Sequence, residues 1–246
     1  LALRSNGSIV VWGSGPSEFL TLPTPNLGFT RIAVGYGHAL ALDAEGSIVA
    51  WGGNYSGQCT VPAPNAGFVG IAAGFDFSLG LKGDGSIVGW GYGPVGQLDL
   101  RGSDAGFVAV AAWCSASHAL GLRADGTLAA WGSNDYGQCF VPAPGIDFVG
   151  IAVGSTHSLG VRSDGSVVAW GDNRQGQCSV PPPNRDFVAV AAGYGQSFGL
   201  KADGHLVIWG RRDPYEDQPP EPNTGFVAIA AASASGGVAL RGLLPA

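Results

Sequence analysis

Methionine is missing altogether, lysine is confined to Lys82 and Lys201, and only 12% of the 246 residues are charged. So thin a set of charges leaves little for a solvated helical surface, while 46% hydrophobic residues leave ample material for a core. The net charge of −6 and the want of a basic stripe speak against nucleic acid. They speak equally against an anionic membrane surface. No apolar run approaches the roughly 18 residues that would span a bilayer. No signal-peptide pattern opens the chain, and without a Met the given start reads as a processed or truncated end. Secreted and cytoplasmic settings both stay open. Cysteine is scarce too, at Cys59, Cys114, Cys139 and Cys178. Three of these follow Gly-Gln at one repeat position. Equivalent copies in different units lie too far apart for a disulfide, which needs Cα atoms within about 7 Å, and the spacing fits no zinc site. Free, mostly buried thiols are expected.

Glycine is what the chain has in excess, at 42 residues, over twice the usual share of roughly 7%. No Gly-X-Y period accompanies it, so collagen is excluded. Its distribution among short Val, Ile and Ala runs suits many tight turns between short strands.

Two markers then recur in phase. Trp-Gly stands at Trp12, Trp51, Trp90, Trp131, Trp170 and Trp209, spaced 39, 39, 41, 39 and 39 residues apart. Phe29, Phe68, Phe107, Phe148, Phe187 and Phe226 repeat the same five spacings. One unit runs from Gly67 to Leu100 as four short apolar runs bounded by Gly, Asp or Pro, each too short for an ordinary helix. Asn6-Gly7, Glu45-Gly46, Asp84-Gly85, Asp125-Gly126, Asp164-Gly165 and Asp203-Gly204 join the second and third runs. Such dipeptides predict type I′ hairpins. Pro-rich links such as Val61–Asn65 stop the sheet between units.

Four antiparallel strands per unit, repeated, predict an all-β propeller as a single domain over residues 1–246. Six blades is the direct count. The chain opens on a second strand, Leu1–Leu3, and closes on a first and second, so the terminal strands are expected to pair in one blade. The Leu-Ala-Leu strand occurs seven times, and seven blades is the alternative.

The run from His118 to Pro142, HALGLRADGTLAAWGSNDYGQCFVP, with its Trp-Gly and Gly-Gln, resembles the repeat of the regulator of chromosome condensation family. It is most similar in look to a bacterial branch of propeller-type β-lactamase inhibitory proteins. The resemblance covers nearly the whole chain. It implies a propeller, usually of seven blades, in a family whose members include an exchange factor, ubiquitin-ligase modules, a light sensor and enzyme inhibitors. The fold by itself therefore assigns no function.

No constellation for catalysis stands out, no cofactor is expected, and no metal site. Gly91-Tyr-Gly-Pro-Val-Gly96 matches a dinucleotide fingerprint but precedes a strand where the chemistry needs a helix N-terminus. His38, His118 and His157 occupy one repeat position, read as shared with Ser78 and Gln196. They fall on separate blades, as hydrogen-bonded loop histidines rather than metal ligands. The Trp of each Trp-Gly reads as core.

Units with the same core can differ only where the fold permits, and function is sought there. In an up-and-down blade the turn between strands one and two and the turn after strand three share one face. The first kind holds Tyr36, Phe75, Phe77, Trp113 and Tyr194. The second holds Tyr55, Tyr92, Tyr136, Arg174, Arg211, Arg212 and Tyr215. Tyr, Trp and Arg are the residues of interface hot spots. Trp113, in a loop two residues longer than its counterparts, is the expected anchor. The resemblance adds that the inhibitory branch grips its target through these same loops. The reading is a monomeric propeller that captures a folded protein, with inhibition one form of that capture. A lectin-like or small-ligand-binding propeller is the alternative.

Overall fold

A computed structural model describes residues 1–12, 17–99, 105–211, 219 and 221–231, and the backbone of 237–241. The chain is an all-β propeller, and its one helix among the described residues is the four-residue α1, Ser17–Leu20. Five complete units each form an antiparallel three-stranded sheet. These are β3 Phe29–Val34, β4 His38–Asp43 and β5 Ile48–Gly52, then β6 Phe68–Ala73, β7 Phe77–Lys82 and β8 Ile87–Gly91. The third holds β9 Phe107–Ala112, β10 His118–Arg123 and β11 Leu128–Gly132. The fourth holds β12 Phe148–Val153, β13 His157–Arg162 and β14 Val167–Gly171, and the fifth β15 Phe187–Ala192, β16 Gln196–Lys201 and β17 Leu206–Gly210. At the start β1 Ala2–Leu3 pairs with β2 Ile9–Val10, and at the end β18 Phe226–Ala231 pairs with β19 Gly237–Arg241.

Each unit's first strand packs against the first and second strands of its neighbour, which makes it the innermost, and the third strand lies farthest out. The middle strand is consequently buried along almost its whole length. Its central small residue is fixed by a ring: a methyl group at Gly80, Gly121, Gly160 or Gly199 would collide with Phe68, Phe107, Phe148 or Phe187 of the same unit.

Three expectations need correction. The terminal strands do not share one of six sheets. The described strands instead form seven sheets, and β1–β2 and β18–β19 are separate two-stranded sheets with no pairing between them among the described residues. The fourth strand is also absent there: Gln58, Gln97, Gln138 and Gln177 all stand in turns. An asparagine from the Pro-rich link takes over the outer edge of strand three. Asn65 Oδ1 accepts from Ile48 N at 2.8 Å while its Nδ2 donates to Ile48 O at 2.8 Å, and Asn26, Asn184 and Asn223 do the same for Ile9, Val167 and Leu206. A side chain thus meets the backbone groups that a fourth strand would have met.

Finally, the hairpins are not type I′. Positive φ is confined to the glycine, as at Gly85 with φ 84°. Gly85 N donates to Lys82 O at 3.0 Å and Lys82 N to Ser86 O at 2.8 Å, the pattern of a three-residue loop with a glycine bulge. Asp84 accepts from the amide and hydroxyl of Ser86, and that Asx geometry draws the turn into this form. Each such glycine also latches the next unit, as where Phe107 N donates to Gly85 O at 3.1 Å.

Candidate functional site

The turn between strands one and two meets the loop after strand three at the same end of every sheet. Gly53 N donates to Gly37 O at 2.7 Å, Tyr92 N to Asp76 O at 2.8 Å and Arg211 N to Gly195 O at 2.8 Å. The inner turns also hold hands around the molecule: Tyr36 N donates to Gly74 O and Phe75 N to Ala116 O, and Ser155 N to Gly193 O. The two loop types therefore make one continuous face.

Local chemistry shapes the outer loops alike. In the first, Asn54 Oδ1 accepts from Cys59 N at 2.8 Å, Gln58 Oε1 accepts from Ser56 N at 2.9 Å, and Cys59 Sγ donates to Gly53 O at 3.3 Å. Asn134, Gln138 and Cys139 repeat this set, as do Asn173, Gln177 and Cys178. Two residues lie between the asparagine and the Gly-Gln pair, and the first of them in this loop, Tyr55, is 99% exposed. All four cysteines are unpaired, and burial pushes the thiols of Cys59 and Cys139 up to about 11 and Cys178 to about 12. They are protonated hydrogen-bond donors.

Of the residues expected from the sequence, Tyr36, Tyr55, Phe75, Tyr92, Tyr136, Arg174, Tyr194 and Arg211 are exposed on this face. Tyr36 and Phe75 stack with ring centroids 4.7 Å apart. Arg174 is held from two sides. Its Nε and Nη2 donate to the two carboxylate oxygens of Asp172 at 2.9 Å each, and its guanidinium lies 4.7 Å from the Tyr136 centroid. That pairing lowers the Asp172 carboxyl to about 2 and raises Arg174. Asp172 is buried, so it orients an arginine that still offers its free N–H groups outward.

Phe77 and Trp113 do not belong to this face. Phe77 is fully buried as the first residue of β7, packed with Ala72, Leu79 and Ala119. Trp113 is 7% exposed. The two-residue insertion turns inward, and its indole fills a cluster with Cys114, Leu120, Val153 and Trp170. Ala116 then supplies the carbonyl that Gly74 and Gly193 supply elsewhere. Arg212 and Tyr215 lie outside the described residues.

Beneath the face runs a feature that residue-by-residue reading missed. His38 Nε2 meets Ser78 Oγ at 2.9 Å, and Ser78 Oγ donates to Gln58 O at 2.9 Å, which also accepts from Trp90 Nε1 at 2.8 Å. His118, Ser158, Gln138 and Trp170 repeat it, and so do His157, Ser197, Gln177 and Trp209. The histidines stand on strands, not in loops, and Phe77 rather than Ser78 is the counterpart of His38. The signal was the constant 40-residue His–Ser separation. Where Phe77 replaces histidine, its partner is Ala119, so both polar groups disappear together.

The Trp of Trp-Gly is buried, or half-buried at Trp131, wherever the preceding unit's loop can receive its N–H. Trp51, which has α1 before it, donates to Phe19 O at 3.1 Å. Trp12 is 64% exposed; no loop of a preceding unit lies over it among the described residues.

The regulator of chromosome condensation (RCC1) repeat family matches residues 29–58, 68–97, 107–138 and 148–177. Among solved structures, Prp20p from Saccharomyces cerevisiae is 21% identical over 94% of this chain and 77% of its own, with a TM-score of 0.72. A chain in the structure of Kap60 bound to yeast RCC1 (Prp20) is 21% identical over 87% and 68%, at 0.71. The CRINKLY WD40 ectodomain of the Arabidopsis thaliana receptor kinase ACR4 is 23% identical over 92% and 79%, at 0.70. At these identities the likeness is one of fold. No curated protein matches the chain by sequence.

Proposed function

The chain belongs to the regulator of chromosome condensation repeat family, and from that premise we propose that it is a protein-binding module whose aromatic and arginine-bearing loop face captures a folded partner. The observation that carries this is preorganisation. Tyr36 on Phe75 and Arg174 on Tyr136 are held in place before any partner arrives, so little side-chain entropy remains to be lost on binding. Prp20p is described by its binding to Gsp1p and histones, which supports protein capture as a use of this fold. We read the module as a monomer that acts by binding rather than catalysis, and inhibition of the captured protein as one outcome, in keeping with the bacterial inhibitory branch that the repeat resembles. A lectin-like use would call for the same polar and aromatic set in every unit. The loops differ instead, with Tyr55, Pro94, Asp135 and Arg174 at one equivalent position.

The test is capture of partners by the immobilised chain and by a variant carrying Tyr36→Ala, Tyr55→Ala, Tyr92→Ala and Tyr194→Ala. These side chains are exposed, so the melting temperature should hold while specifically retained protein is lost. Equal capture by both would remove the loop face from consideration. Adding the chain to a β-lactamase and following hydrolysis tests the inhibitory branch directly; unchanged turnover at micromolar chain would exclude that reading.

A further inference from the structure

We propose that the loop face is acid-released: the buried imidazoles of His38, His118 and His157 fasten the loops carrying Tyr55, Tyr136 and Arg174 only while they are neutral. This rests on the reading of that face as the binding site and adds its regulation.

The fastening is geometric. Each serine hydroxyl gives its proton to the backbone carbonyl of the loop glutamine, at 2.8 to 2.9 Å. It can therefore only accept from the histidine, which places a proton on Nε2 and leaves Nδ1 as the nitrogen that titrates. The other nitrogen, Nδ1, is buried in all three rings with no hydrogen-bond partner among the described residues. Two of the rings are packed tightly along that edge: a methyl group at Gly35 or Gly154 would collide with His38 or His157. A second proton would thus arrive on a buried Nδ1 that makes no hydrogen bond among the described residues.

Each relay ends on one loop. The glutamine that receives the serine proton also accepts, through Oε1, the amide of the residue two before it: Ser56, Tyr136 or Gln175. Those are the residues that flank or bear the exposed Tyr55, Tyr136 and Arg174. Titratable neighbours are few. His157 disfavours the charge on His118 and Asp172 favours it on His157, while the backbone of Phe77, His157 and Gln196 favours it on His38, His118 and His157 in turn. Burial outweighs all of these and holds the three near 4, 3 and 4 in the order His38, His118, His157.

The molecule carries its own control. The loop of Tyr92 has Gln97 in the same role, with Val95 N donating to its Oε1 and Trp131 Nε1 to its carbonyl. Beneath it stand Phe77 and Ala119, which cannot titrate.

Hydrogen exchange of the intact chain, corrected for intrinsic rates, reads this loop by loop without any partner. An opening that hydrates an imidazole near its free value of about 6.5 should become roughly twentyfold more frequent between pH 7 and pH 5. Protection in peptides covering 54–59, 134–139 and 173–178 should fall by that factor, with 93–99 changing less than about threefold. In a variant carrying His38→Gln, His118→Gln and His157→Gln, which copies the glutamine that the fifth unit already holds at Gln196, the difference among loops should vanish. Equal loss in all four loops, no loss in any, or the same loss in the glutamine variant would overturn the proposal. None of these outcomes depends on whether the face binds a protein.

Discussion

Trp113 fills the seam between the third and fourth complete units, against Val153 and Trp170. Removing its ring leaves a cavity that two packed sheets cannot close. Trp113→Ala is expected to lower stability by about 3–5 kcal/mol. Trp113→Phe keeps most of the contact and deletes an Nε1–H that meets no partner among the described residues, so its cost should stay under about 1.5 kcal/mol. Urea denaturation of the two variants checks the pair; a Trp113→Ala protein as stable as the parent would mean the indole is not packed there. The residue type was legible, and so was the position of the insertion. Its direction was not, because the same two extra residues can bulge outward or tuck in, and only the space beside Val153 decides.

At the scale of the strand and its turn, glycine and asparagine hold the repeat together. Gly165 lies at φ 77°, and a Cβ there would stand 2.9 Å from the amide nitrogen of Asp186 in the next unit. Gly165→Ala therefore strains its own backbone and pushes against the latch, and a loss of at least about 1 kcal/mol is expected in chemical denaturation. Asn65→Ala strips both hydrogen bonds from Ile48 and should cost about 1–3 kcal/mol. If Asn65→Ala proves neutral, the edge of strand three is met by water and the clamp is incidental. Phe and Trp-Gly spacing makes the three strands and their order readable, since those residues mark the buried ends of strands. The fourth strand is not so readable: Gln97, Leu98 and Asp99 have an extended look in sequence, but the buried Gln97 side chain bonds its own loop and holds it as a turn. Tyr36, Tyr55, Tyr92 and Arg174 are readable as surface because they vary between units. Phe77 is not, since its place in the unit is a buried strand position that histidine usually fills.

For the whole molecule, the three histidines set an acid limit. Their pKa values are lowered in the folded chain, so the unfolded chain binds more protons below about 6.5. The stability they confer is complete above that pH and is lost as pH falls from about 6.5 toward 4. The depressed carboxylates act in a lower window: Asp172, near 2 in the fold, yields its share only below its unfolded value of about 3.9. The melting temperature should therefore drop in two stages, with the first abolished in the His38→Gln, His118→Gln, His157→Gln variant. A single drop confined below about pH 4 would contradict that order.

The central claim is that one face of the propeller, and not the other, meets the partner. The most direct measurement is site-specific photocrosslinking, with a benzophenone side chain placed singly at Tyr55, Tyr136, Asp125 or Val149. Tyr55 and Tyr136 stand on the loop face, and Asp125 and Val149 at the hairpin end, where Val149 is exposed at the bulge of β12. Covalent capture of the same partner is expected from Tyr55 and Tyr136, and none from Asp125 or Val149. Capture from the hairpin end with silence at the loops would contradict it.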